Sequence, residues 1–303
     1  MYASGSGRAA AQASKVTVPD LRARKRGGPP LVMVTAYDCT IARLVDAAGV
    51  DAILVGDSLG MVVQGLANTL AVTVDEICYH GRAVARGVTR AHVVGDMPFM
   101  SYQVSSSQAV ESAGRLLKEG SFESVKLEGG EEIAEHVRRI VRAGIPVMGH
   151  VGLTPQSVHA LGGFRVQGKG EDSAAKVIAD ARAIEEAGAY AIVLEAIPPD
   201  VAETVTHHVG VPTIGIGAGS ACDGQVLVCT DLLGMTPGAP PRFAKRYAEL
   251  ADVIVDAVKR YASEVRGGIF PAPEHAYKPN RAHGVDEGGP PALERARPAG
   301  IRH

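Results

Sequence analysis

Several short apolar runs in this chain end in a side chain that can do chemistry. Asp57 closes "AILVGD" and Asp96 closes "HVVGD". A carboxylate at the end of such a run carries a heavy desolvation cost if it is left alone. It must pair, cap the next turn or bind a cation. One strand-end aspartate is as readily a cap, but two at equivalent positions point to a metal. Few oxygen ligands, with water positions left open, suit Mg2+. Lys126 and Glu128 flank Leu127, so both project from one face of their strand. Lys126 would neutralise a substrate carboxylate or oxyanion, and Glu128 would hold a metal-bound water from outside the ligand shell. The alternative is a structural Lys–Glu pair in the interior.

His150, in "VMGHVGLTPQS", can donate to an oxyanion or carboxylate, or can be a satisfied core histidine. Glu195 lies between "AIVL" and "AIPP". An acid held against apolar neighbours has a raised pKa when it lacks a charge partner, which suits a base that deprotonates carbon. A capping or salt-bridged carboxylate is the other reading. "GIGAG", Gly215 to Gly219, fits neither phosphate-loop pattern. A tight turn with close backbone approach to a ligand accounts for it.

Such residues act together only if the strand ends meet. The chain repeats one phrase: a helix end, a glycine, then a short apolar strand, as in "DAAGVDAILVGD", "RAGIPVMGH" and "EEAGAYAIVLEA". "LVMVTAYD", "AHVVGD", "SVKLEGG" and "VPTIGIGAG" extend the series, and "QVLVCTD" is a weaker eighth strand. The glycine closes each helix in the left-handed conformation. The runs are continuous rather than alternating, as in parallel strands buried on both faces. Thr73 with Glu76, and Ser105 with Gln108, have capping-box spacing. Asp172 or Ser173 is the expected cap of the next helix, and an amphipathic helix is expected over 243–265. An open doubly wound sheet would spread the polar ends along an edge, whereas a (β/α)8 TIM barrel gathers them at one mouth. The barrel is therefore the expected fold.

Composition limits the function classes. The 303 residues include 46% hydrophobic ones, no tryptophan and 4% aromatics, so the core must be aliphatic, and no obvious stacking platform for a flat ligand stands out. A net charge of -2 without a basic block excludes the concentrated positive field of nucleic-acid binding. No apolar run approaches the roughly 20 residues of a membrane span. Cys39, Cys78, Cys222 and Cys229 show neither metal nor disulfide spacing, which fits a reducing, cytoplasmic setting.

Residues 1–16 read as a flexible leader, with an organelle transit peptide as the alternative. A short N-terminal helix follows, with capping-box spacing at Thr17 and Asp20, Pro19 in its first turn, and Gly27 and Gly28 to stop it. Residues 17–277 read as the catalytic domain. The Pro-, Gly- and Arg-rich stretch 278–303 reads as a disordered tail.

Long blocks, in order, resemble the ketopantoate hydroxymethyltransferase family: "TAYDCTIARLVDAAGVDAILVGDSLGMVVQG", "GDMPFMSY", "VKLEGGE", "GHVGLTPQSVHALGGFRVQGKG", "VLEAIP", "VPTIGIGAG", "CDGQVLV" and "FPAPEHAY". The resemblance covers residues 17 to 277. It implies a barrel of the phosphoenolpyruvate/pyruvate superfamily, with Asp57 and Asp96 on Mg2+ and Glu128 on a metal-bound water. It further implies that Ser58 and Lys126 hold a 2-oxo acid carboxylate with Tyr37 and His150 nearby, and that Glu195 is the base. The implied co-substrate is 5,10-methylenetetrahydrofolate and the implied assembly a homodecamer. The local "EHAY" and "GLANT" depart from the family's usual residues. Two rivals are weighed against this. A Mg2+-dependent carbon–carbon lyase of the same superfamily would carry a cysteine-containing catalytic loop, which Cys39 and Cys78 do not form. A non-catalytic barrel scaffold would require every polar strand end to be structural.

Overall fold

A computed structural model describes residues 14–236 and 238–277. The expected tail 278–303, and the leader up to residue 13, lie outside the described residues. The chain divides into two compact units, Met1–Ala251 and Asp252–His303, so the expected catalytic domain 17–277 spans parts of both.

The first unit holds eight strands: β1 (Leu31–Thr35), β2 (Ala52–Val55), β3 (His92–Asp96), β4 (Ser124–Glu128), β5 (Val147–Gly152), β6 (Ala191–Glu195), β7 (Thr213–Ile216) and β8 (Gly224–Leu227). They pair in sequence order, all parallel, and β8 returns to β1 to close the barrel. The weak eighth strand is thus real. Most strand residues are buried on both faces, which explains the continuous apolar runs.

Strand periodicity then sorts the side chains. Val94, Met148 and Val193 belong to one apolar cluster with Met33, Leu54, Ile214 and Val226, joined from the N-terminal segment by Val16 and Leu21. Two residues further along the same strands come Asp96, His150 and Glu195. An apolar layer therefore lies beneath a polar one at the C-terminal end. A separate apolar cluster, including Ile53, Val125, Leu127, Val147 and Ile192, packs with helix residues such as Ile77, Leu116, Ile140 and Ile184.

Local signals account for most helix starts. Thr17 precedes the helix Val18–Ala23, and its N–H and hydroxyl both donate to Asp20. Thr73 and Glu76 form a reciprocal capping box on Val74–Ala85, and Ser105 accepts from the Gln108 N–H. Two expectations fail. Neither Asp172 nor Ser173 caps the helix Glu171–Glu186: both lie within its first turn, Gly170 takes the N-cap position, and the Ser173 hydroxyl accepts from the Gly168 N–H at 3.0 Å. The amphipathic helix begins at Leu250, not 243. Ahead of it the Tyr247 N–H is spent on Leu232 O, and Arg246 donates to Thr236 O, so 243–249 wraps the preceding turn.

In the second unit, Val253, Ile254, Val258 and Tyr261 are exposed. Tyr261 meets Phe270 edge-on with 5.4 Å between ring centroids. No helix among the described residues is long and apolar enough to cross a membrane.

Candidate active site

Parallel register places the polar strand ends side by side. Asp96 pairs with Lys126, Glu128 with His150, and Gly152 with Glu195. Asp96, Lys126, Glu128, His150 and Glu195 line a cavity of about 330 Å3 together with Asp57 and Ser58. Tyr37 stands behind this lining, its hydroxyl 2.8 Å from Ser58 Oγ. Gly56 makes the tight β2 turn possible, because a Cβ there would lie 2.7 Å from Ser58 Oγ and 3.7 Å from Asp96 Oδ2.

Lys126 is the electrostatic hub. Its Nζ lies 2.9 Å from Asp96 Oδ1, 3.9 Å from Glu128 Oε1 and 3.1 Å from His150 Nδ1. Burial alone would strip its proton, but Asp96, Glu128 and Asp57 outweigh burial and hold its pKa well above the lysine range. Burial and the Lys126 charge push the His150 pKa down, against a counter-pull from Glu195. His150 is therefore neutral near pH 7. An ammonium can only donate, so Nδ1 accepts and the ring proton sits on Nε2. That nitrogen is 3.2 Å from Glu195 Oε2. Glu195 thus has a polar partner, unlike the isolated acid that its apolar sequence neighbours suggest.

Three buried acids, Asp57, Asp96 and Glu128, crowd one ammonium. Burial, then the charge of Asp96, raises the Asp57 pKa to about 7, against the pull of Lys126. Burial raises Glu128 well above the carboxylate range, with Lys126 opposing. This surplus of buried negative charge is what a divalent cation relieves. Among the described residues, no three His, Cys, Asp or Glu side chains are grouped to hold an ion unaided. One or two carboxylates, with the other positions left to water and substrate, match the way Mg2+ is held. The donor set fits such an ion.

Gln156, in "GLTPQS", is a site residue that no local sequence signal marks. The 3-10 turn Pro155–Ser157 follows β5 and swings this residue under the carboxylates. Its backbone N–H donates to Glu128 Oε2 at 3.0 Å, and its amide donates to Asp57 Oδ2 and to Met97 O, both at 2.9 Å. Its amide oxygen lies 2.8 Å from the Tyr102 hydroxyl. Buried Gln156 therefore braces two of the acids at once.

Fold and site define a parallel (β/α)8 barrel whose C-terminal mouth gathers buried acids around one ammonium and a neutral imidazole. Solved structures share the barrel: phosphonopyruvate hydrolase (TM-score 0.56, 16% identity, 88% of this chain and 92% of that one) and 2,3-dimethylmalate lyase (TM-score 0.55, 18% identity, 85% and 92%). At that identity they speak for the fold alone. The pattern of the ketopantoate hydroxymethyltransferase family matches residues 15–273. The 3-methyl-2-oxobutanoate hydroxymethyltransferase of Anaeromyxobacter sp. (strain Fw109-5) is 56% identical over 87% of this chain and 88% of its own length. That of Moorella thermoacetica is 56% identical over 88% and 100%. The chain belongs to the ketopantoate hydroxymethyltransferase family.

Proposed function

We propose that this chain transfers a hydroxymethyl group from 5,10-methylenetetrahydrofolate to 3-methyl-2-oxobutanoate, giving 2-dehydropantoate in the first step of pantothenate synthesis. The observation that carries this reading is the convergence of Asp57, Asp96, Lys126, Glu128 and Glu195 on one cavity. Asp57 and Asp96 would hold Mg2+, with Glu128 facing it through a water. When bound, such an ion draws electron density from the keto oxygen of a 2-oxo acid and acidifies C3.

The chain's own residues do the rest. Ser58, braced by Tyr37, and Lys126 bind the substrate carboxylate. Glu195 removes the C3 proton, with His150 Nε2 standing 3.2 Å from its Oε2. The Lys126 ammonium screens the negative charge that develops as the proton leaves. The enolised acid attacks the one-carbon unit supplied by folate: one carbon–carbon bond forms, both carbon–nitrogen bonds that hold the methylene to folate break, water supplies the hydroxyl oxygen, and the C3 proton and one proton of that water end on the two folate nitrogens. Cytoplasmic residence is consistent with four free cysteines. A homodecamer is the proposed assembly, and exposed Val253, Ile254 and Val258 support association between copies.

The test is product analysis. With Mg2+ and both substrates, mass spectrometry should find 2-dehydropantoate and tetrahydrofolate in equal amounts. Unchanged 2-oxo acid, or carbon–carbon cleavage of a methylcitrate-like acid, would contradict the reading.

A further inference from the structure

The cavity extends beyond its acids. Its lining also includes the apolar residues Leu153, Pro155, Phe164, Ile216, Pro241 and Phe243. Its volume of about 330 Å3 lies at the lower end of the range of small-molecule pockets, about 300–1,000 Å3. Phe164 is 51% exposed and Phe243 41% exposed. Neither ring pairs with another aromatic ring among the described residues. In a chain with only five phenylalanines, two open ring faces at one cavity mouth call for a flat partner.

Two more features set these rings apart. Gly217, at φ 66°, leaves room for the Phe243 ring: a Cβ there would be 3.0 Å from Phe243 Cδ1. The "GIGAG" turn thus seats an aromatic ring at the mouth. Both rings also sit in basic segments, "FRVQGK" and "RFAK". Arg165, Lys169 and Arg242 are exposed and make no ion pair among the described residues. Lys245 is turned elsewhere, 4.7 Å from the centre of the Tyr247 ring.

We propose that Phe164 and Phe243 seat the flat pterin of a reduced folate, while Arg165, Lys169 and Arg242 receive its anionic glutamate tail. The inference rests on the proposed reaction and names the residues for its second substrate. It places the one-carbon donor at the outer end of the cavity and the 2-oxo acid against the acids at the inner end.

The test uses the full chain with Mg2+ and the variants Phe164→Leu, Phe243→Leu and the double variant. Each single variant should raise KM for 5,10-methylenetetrahydrofolate about tenfold, as loss of a stacked aromatic face does. KM for 3-methyl-2-oxobutanoate should stay within about twofold. Anaerobic calorimetry with (6S)-tetrahydrofolate should show a parallel loss, and Phe243→Tyr, which keeps the flat face, should restore affinity. Arg242→Ala should weaken a triglutamyl folate more than a monoglutamyl one.

An unchanged folate KM in the double variant would overturn the inference, as would equal rises in both KM values. Wild-type protein that exchanges deuterium into C3 of the 2-oxo acid but binds no tetrahydrofolate would also overturn it, leaving the enolising site intact. Wild-type protein that shows neither exchange nor product would remove the proposed reaction and this inference together.

Discussion

Replacing Gln156 with methionine keeps the length of the side chain and deletes its amide. Asp57 Oδ2 and Met97 O each lose a donor at 2.9 Å, while the backbone bond to Glu128 survives. The Asp57 carboxyl already sits at about 7, pushed up by burial and by Asp96, with the Gln156 amide among the groups holding it down. A hydrogen bond to a charged group contributes about 1.5–3 kcal/mol. At about 1.4 kcal/mol per pKa unit, its loss should raise Asp57 by roughly one to two units. A cation needs the ionised carboxylate, and wild-type Asp57 is already half protonated at pH 7, so Mg2+ should bind roughly 5- to 50-fold more weakly there. The deficit should shrink as pH rises toward 9, where Asp57 ionises in both proteins. Calorimetric titration of wild type and Q156M with Mg2+ at pH 6, 7, 8 and 9, beside a thermal melt, reads this directly. Equal affinities would refute the reasoning. So would a deficit of the same size at every pH, since a purely structural defect would not follow Asp57.

Glu195→Gln should abolish C3 exchange while still binding 3-methyl-2-oxobutanoate with Mg2+ by calorimetry; exchange surviving in that variant would remove Glu195 as the base. Asp96→Ala should weaken Mg2+ at least about tenfold by calorimetry, and unchanged affinity would exclude Asp96 as a ligand. Asp46 accepts from the Ala91 N–H at 2.7 Å and from the Thr89 N–H and hydroxyl at 2.8 Å, tying the helix Cys39–Ala47 to the chain before β3. Burial raises its pKa, but these bonds win and the net shift is downward. Its stabilisation is therefore present above the unfolded value of about 4 and is lost as pH falls through the lower folded value. Asp46→Ala should cost about 1.5–3 kcal/mol, a Tm drop on the order of 3–10 °C at pH 7, and the gap to wild type should narrow in melts below about pH 4.

The scaffold was legible because each strand carries its own signal. Doubly buried apolar runs mark most of the strands, left-handed glycines close the helices before β2, β5 and β6, and even the faint "QVLVCTD" falls on β8 (Gly224–Leu227). The acids were legible because a carboxylate ending an apolar run is costly without a partner. What local pattern could not give is lateral register, which sets Lys126 beside Asp96 and Glu128 beside His150. Nor could it give Gln156, whose partner Asp57 lies 99 residues away. An amide in a turn looks the same whether it faces solvent or a buried acid. The amphipathic period misled at 243–249 because hydrogen bonds to Leu232 O and Thr236 O compete with helix there. Sparse aromatics offer no obvious stacking platform in the sequence; composition does not say where residues meet, and Phe164 and Phe243, far apart in the chain, line one cavity.

The central claim is that this cavity enolises a 2-oxo acid. Proton NMR of 3-methyl-2-oxobutanoate in deuterium oxide, with protein and without folate, tests it most directly. The account predicts loss of the C3 proton signal that depends on both protein and Mg2+ and disappears in Glu195→Gln. A C3 signal that persists unchanged with protein and Mg2+ present would contradict it.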